Sequence, residues 1–90
     1  MNQDHTKFQS INFPLTKKED WREIIPRKLI NFEPGIIIVD CLDWVLSCKD
    51  FQIIKALFNK AGLTIKLIES SIPETIVSAS SLGYQTLQKT

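Results

Sequence analysis

PGIIIVD, residues 34–40, sets four branched aliphatics between a proline–glycine turn signal and a carboxylate. A half-exposed strand would alternate apolar with polar residues, and Ile36, Ile37, Ile38 and Val39 do not. The run therefore predicts a strand covered on both faces, in the middle of a sheet flanked by helices. Withdrawing four such side chains from water is worth roughly 6–12 kcal/mol gross, an upper bound because denatured chains are not fully extended. The stretch is a core that organises the fold.

Outward from it, the chain punctuates itself. Lys7–Phe13 carries a weak strand signal, with Gln9, Ile11 and Phe13 on one parity, and Pro14 ends it. Thr16-Lys17-Lys18-Glu19 has the form of a capping box. After it, Trp21, Ile24, Ile25, Leu29 and Phe32 recur at helical spacing. Pro26 interrupts that helix and predicts a kink or two short helices, because it removes a backbone hydrogen bond and clashes with the Arg22 carbonyl. Beyond the isoleucine run, Ser47 is an N-cap with Asp50 three positions on. Phe51, Ile54, Leu57, Phe58 and Ala61 follow at helical intervals, and Gly62 is a left-handed stop.

Leu63–Glu69 alternates as a strand, with Leu63, Ile65 and Leu67 inward. Ser71 and Glu74 read as a third box, with Pro73 in the first turn. Ile76, Val77, Ala79 and Leu82 form the inward face of that helix, Gly83 stops it, and Tyr84–Gln88 is a last strand. The order β-α-β-α-β-α-β with short connections means parallel strands joined by right-handed crossovers. The fold class is α/β: one layered domain over 1–90, with about four strands and helices packed on the sheet. Residues 1–6 are expected to be disordered.

Composition narrows the function. Ninety residues form one domain near the lower size limit for an independent core. Eleven basic and ten acidic residues leave a net charge of +1, without the basic excess a nucleic-acid partner would need. No apolar run reaches the ~18 residues of a membrane span, and the polar start MNQDHTKFQS carries no signal-peptide segment. Cys41 and Cys48, the only cysteines, read as reduced, packed thiols in a cytoplasmic protein.

Catalytic chemistry finds little to stand on. The turn after the central strand, DCLDWVLS, has no glycine for a phosphate, so no nucleotide cofactor is expected. His5, Cys41 and Cys48 are the whole set of soft metal ligands, too few for zinc. The single histidine lies in a polar tail, leaving Ser47 without a base, and capping accounts for Ser47. Asp40 and Asp43 lie past the carboxyl end of the central strand, where α/β proteins place ligands. They read more simply as turn residues. No catalytic residue, metal or cofactor is assigned, and an enzyme is not expected. Phe32 and Trp44 sit at element ends, where an exposed aromatic would anchor a protein partner.

The string from Pro34 to Leu87 resembles the N-terminal domain of the bacterial septum-site-determining protein MinC. That family runs from a PVVL strand to a helix, then through xxGLxxxGV, another helix and A…GLPVL. Here the matching stretches are Pro34–Val39, Ala61-Gly62-Leu63 through Ile68, and Ala79 through Leu87. ETIVSASSLGYQTLQ is most similar to the cyanobacterial branch, where TAVAAATxGY recurs. The pattern covers 33–88 well and 7–32 loosely, and consists of fold-forming positions.

The resemblance implies a cytoplasmic, non-enzymatic regulator of cell division that antagonises assembly of the tubulin-like FtsZ polymer. Family contacts with FtsZ near the first strand and the end of the first helix fall loosely on Lys7 and Phe32. Pro26 and the DWVL stretch depart from the family there. Binding of the ATPase MinD belongs to a separate C-terminal β-helical domain, which the chain is expected to lack, so it is not carried over. A homodimer is left open. An alternative is a signalling module of the sulfate-transporter and anti-sigma-antagonist type. That module would carry a phosphorylatable Asp-Ser-Ser/Thr-Gly, where this chain has LSCKD.

Overall fold

The computed structural model describes residues 8–90; the expectations for His5, Lys7 and a disordered 1–6 lie outside the described residues. Four strands and three helices alternate: β1 (Gln9–Asn12), α1 (Trp21–Leu29), β2 (Gly35–Asp40), α2 (Cys48–Lys60), β3 (Leu63–Ser70), α3 (Pro73–Ser81) and β4 (Thr86–Gln88). The sheet order is β1-β2-β3-β4, and every neighbouring pair is parallel. The α/β class, the element order and the interior place of the isoleucine strand stand as read.

One expectation fails. Ile37 and Val39 are fully buried, but Ile36 is 45% exposed and Ile38 only half-buried. The sheet is covered on one face. Its order supplies the reason: a chain that always advances to the next strand through a crossover of the same hand sets every helix on the same side. Trp21, Ile25 and Leu29 of α1, Phe51, Ile54 and Phe58 of α2, and Ala79 of α3 all join one core. Ile11, Ile37, Val39, Leu63 and Ile68 meet them from the strands. Four aliphatics in a row satisfied both arrangements, since a one-sided strand also tolerates apolar residues on its open face.

A β-bulge explains a second misreading. Ile37 is level with Ile65, but Ile38 is level with Leu67, so Lys66 is an extra residue in β3. Past it the parity inverts. Ile68 and Ser70 turn to the core, and Leu67, read as inward, lies on the open face with Ile38.

Helix ends differ in detail. α1 is one helix that contains Pro26, not two, and Asp20 caps it by accepting the Arg22 amide at 3.0 Å. Thr16 instead closes a turn, its hydroxyl accepting from the Lys18 amide at 3.1 Å. In α2 the box is as read: Ser47 accepts the Asp50 amide (3.2 Å) and Asp50 accepts the Ser47 amide (2.9 Å). At α3 no side chain caps the helix, and the Ser71 hydroxyl donates to the Leu42 carbonyl. Thr75 and Ala79 are its buried face, and Val77, read as inward, is 68% exposed. Gly62 and Gly83 have φ of +79° and +92°, the left-handed stops that a residue without Cβ adopts at no steric cost.

Candidate partner-docking groove

Two helices of this layer finish at the same end of the sheet, where the strands begin. From α1, Pro26, Leu29 and Ile30 stand at i, i+3 and i+4; from α2, Leu57, Lys60 and Ala61 repeat that spacing. Each trio forms a ridge on one helix face. Between the ridges lies an open groove of about 420 Å³, and Phe32 closes one side of it.

The turn that places Phe32 is short. Asn31 and Phe32 donate their amides to the Lys28 and Leu29 carbonyls at 3.0 and 3.1 Å, continuing the helix by one turn. Pro34 then prevents further winding. The Gln9 side chain fixes the exit, donating to the Glu33 carbonyl (2.8 Å) and accepting the Glu33 amide (3.0 Å). Gly35 donates to the Gly62 carbonyl at 3.0 Å, so the stops of both helices are locked together.

The groove is apolar apart from Lys60. Ile30 is 81% exposed, a large cost in water for a residue at the mouth of an apolar depression. Arg27 and Lys28 lie in the last turn of α1 and Lys60 in the last turn of α2. All three favour the negative poles of their helices. None of them is in an ion pair among the described residues. Lys28 reaches only the Asn12 carbonyl, at 3.3 Å. The lining suits a bulky apolar side chain, with a single cation, Lys60, beside it.

Trp44 is at the opposite end, beyond the close of β2, so the fold does not bring it beside Phe32. Its indole N–H donates to the Pro14 carbonyl at 2.9 Å, and its ring meets Phe13 edge-on with centroids 6.3 Å apart. Lys17 sits 5.1 Å from the ring centroid while pairing with Asp43 at 2.6 Å. That bond from Lys17 holds the Asp43 carboxyl below its usual range. Trp44 is thus half-buried and latches the loop after β1 to the loop after β2. Lys7, the third residue singled out, lies outside the described residues.

The carboxyl end of the sheet offers no metal ligands in a cluster: among the described residues no three of His, Cys, Asp and Glu converge. Asp40 and Glu69 instead share Lys89, at 2.8 and 3.3 Å, and the pair raises the lysine's proton affinity. Cys41 is buried, and desolvation, with Asp40 adding, pushes its thiol far above the range where it would ionise. Cys48, read as packed, is exposed beside the Ser81 hydroxyl at 3.1 Å. Thr75 escaped the reading altogether. It is fully buried, accepts the Leu46 amide at 2.9 Å and donates to the Trp44 carbonyl at 2.6 Å. A lone threonine two residues after a proline gave no sign of that role.

The class these features define is a two-layer α/β domain with a parallel sheet bare on one side and an apolar groove at its helix ends. No family model matches the chain, and no solved structure does. Two curated relatives do. The chain is 41% identical over 78 residues to the "Probable septum site-determining protein MinC" of Prochlorococcus marinus strain MIT 9313, covering 87% of this chain and 35% of the relative. It is 37% identical over 65 residues to the protein of the same description in a second Prochlorococcus marinus strain, SARG, covering 72% of this chain and 29% of that one. The chain is a MinC-like domain of the cyanobacterial kind. It spans about a third of the length of these relatives.

Proposed function

We propose that the chain acts in septum-site selection during cell division, as a domain that binds FtsZ and antagonises its polymerisation. The observation that carries this reading is the 41% identity, over nearly the whole chain, to a protein described as septum site-determining. The groove between α1 and α2 supports it, with Phe32 as the apolar anchor point and Lys60 as the cation on its lining. Binding there would occlude a subunit surface sterically, with no bond made or broken by the domain. Lys7 and Trp44 are proposed as further contacts of a wider footprint. MinD contact is not assigned to these residues.

Ser47 favours this reading over a phosphorylated signalling module. Its hydroxyl already accepts from Asp50, and a phosphate on it would face the Asp50 carboxylate at close range. No helix among the described residues is long and apolar enough to cross a membrane, and the proposed place of action is the cytoplasm. The test is sedimentation of GTP-assembled FtsZ with increasing amounts of the purified chain. Less polymer should pellet, with GTP hydrolysis little changed. Undiminished polymer at excess chain would overturn the proposal.

A further inference from the structure

β4 is the one strand that puts nothing into the core. Among the described residues every buried apolar side chain lies between Ile11 and Ala79, and Leu87 is 49% exposed. Thr86–Gln88 pairs with β3 only at Ile68–Ser70. Two hydrogen bonds bound that short ladder: the Ile68 amide donates to the Gln85 carbonyl at 2.9 Å, and the Lys89 amide donates to the Ser70 carbonyl at 2.8 Å. From α3 comes one polar contact, between the Ser80 and Thr86 hydroxyls at 3.3 Å. An edge strand with so few buried contacts belongs to the least stable part of a fold.

Its remaining tie is Lys89. The ammonium reaches Asp40 of β2 at 2.8 Å and Glu69 of β3 at 3.3 Å, so one side chain crosses β3 and binds the chain after β4 to the strand beyond. Asp40 and Glu69 are register partners on neighbouring strands, where like charges repel. Their side chains are only 13% and 19% exposed, so salt and water screen that repulsion less than at an open surface. No other cation pairs with either carboxylate among the described residues. With β4 docked, the lysine separates the two negative charges; with β4 away, they face each other alone.

We propose that residues 85–90 form a releasable strap clasped by Lys89. The strap opens as a unit while the other three strands and the helices stay folded, and ionic strength sets how often it opens. Tyr84 marks the pivot. Its amide donates to the Ala79 carbonyl at 3.2 Å, and its half-buried ring stays with the core, 6.4 Å from that of Phe51. Gly83, just before it, has no atom within 4 Å of where a Cβ would stand, so the chain there is not wedged in place.

Opening frees the Ile68 amide and the Ser70 carbonyl, so the clasp governs whether this edge of the sheet is closed. The half-exposed lysine keeps the control modest and reversible, because ion pairs open to solvent weaken readily with salt. The clasp stands where the strands finish and the groove where they begin, so this inference does not depend on FtsZ binding.

The test is amide exchange resolved residue by residue by NMR at neutral pH, in about 20 mM and about 500 mM salt. Wild type is compared with Lys89→Met, which keeps an apolar stem and removes the charge. At low salt the amides of Ile68 and of position 89 should exchange about 3- to 10-fold faster in the variant, with those of β2 unmoved. High salt should move wild type the same way and leave the variant where it is. Equal protection of Ile68 and position 89 in the two proteins would overturn the proposal. So would β2 amides accelerated by the same factor, since the whole domain would then be opening and not a strap. A wild type indifferent to salt would overturn the ionic control.

Discussion

Replacing Thr75 by valine keeps the shape of the side chain and deletes its hydroxyl. Thr75 is fully buried, and that hydroxyl ties α3 to the chain leaving β2, accepting the Leu46 amide at 2.9 Å and donating to the Trp44 carbonyl at 2.6 Å. Leu46 is itself buried, so its amide would have neither protein nor water to bond in the variant. An orphaned buried donor costs about 1–3 kcal/mol, and the Trp44 carbonyl adds a smaller loss, for about 2–4 kcal/mol in all. A domain of this size has a total stability of about 5–13 kcal/mol, so the change is large. It corresponds to a fall of roughly 10–25 °C in the thermal midpoint. Thr75→Ser is the matched control, since it keeps the hydroxyl and removes one methyl, for about 1 kcal/mol. Urea denaturation followed by tryptophan fluorescence would report both. Valine equal to or more stable than serine would refute the hydrogen-bond argument.

Other substitutions probe the sheet, the helix stops and the loop latch. Ile37→Ala should cost about 2–5 kcal/mol and Ile36→Ala well under 1 kcal/mol, because only the first empties a filled core; equal urea midpoints would deny that the sheet is one-sided. Gly62→Ala should destabilise by about 1–2 kcal/mol, as φ is +79° and the new Cβ would stand 3.1 Å from the Pro34 Cβ. Gly83→Ala, with φ of +92° but open space, should cost less in the same chemical-denaturation assay. Asp43 is held below its unfolded value by Lys17, so its stabilisation is present above that value and is lost as pH falls through the folded one. The stability difference between wild type and Asp43→Asn should therefore exist at neutral pH and vanish in acid; a difference that persists in acid would contradict the pairing.

What was legible in the sequence is what local chemistry dictates. The Ser47–Asp50 box, the Phe51, Ile54 and Phe58 stripe and the Gly62 stop each carry their own signal, and each is where it was expected. The covered face of the sheet was not legible, because Ile36 to Val39 are apolar on both parities and only the helix placement separates them. The Lys66 bulge inverts β3 without any glycine or proline to announce it. Asp20 and Thr16 are both fair caps, and packing of Trp21 into the core chose the later one. Of the docking groove, Leu57 and Ala61 could be read as one side of α2, and Leu29 and Phe32 as one side of α1. Their meeting depends on how the two helices sit on the sheet, which no local pattern records.

Amide hydrogen exchange of the chain, alone and with assembled FtsZ, would locate most directly where it meets its proposed partner. Slowed exchange should concentrate in residues 26–32 and 57–61, on the two walls of the groove. Exchange unchanged along the whole chain, with FtsZ in excess, would contradict that placement and the binding itself.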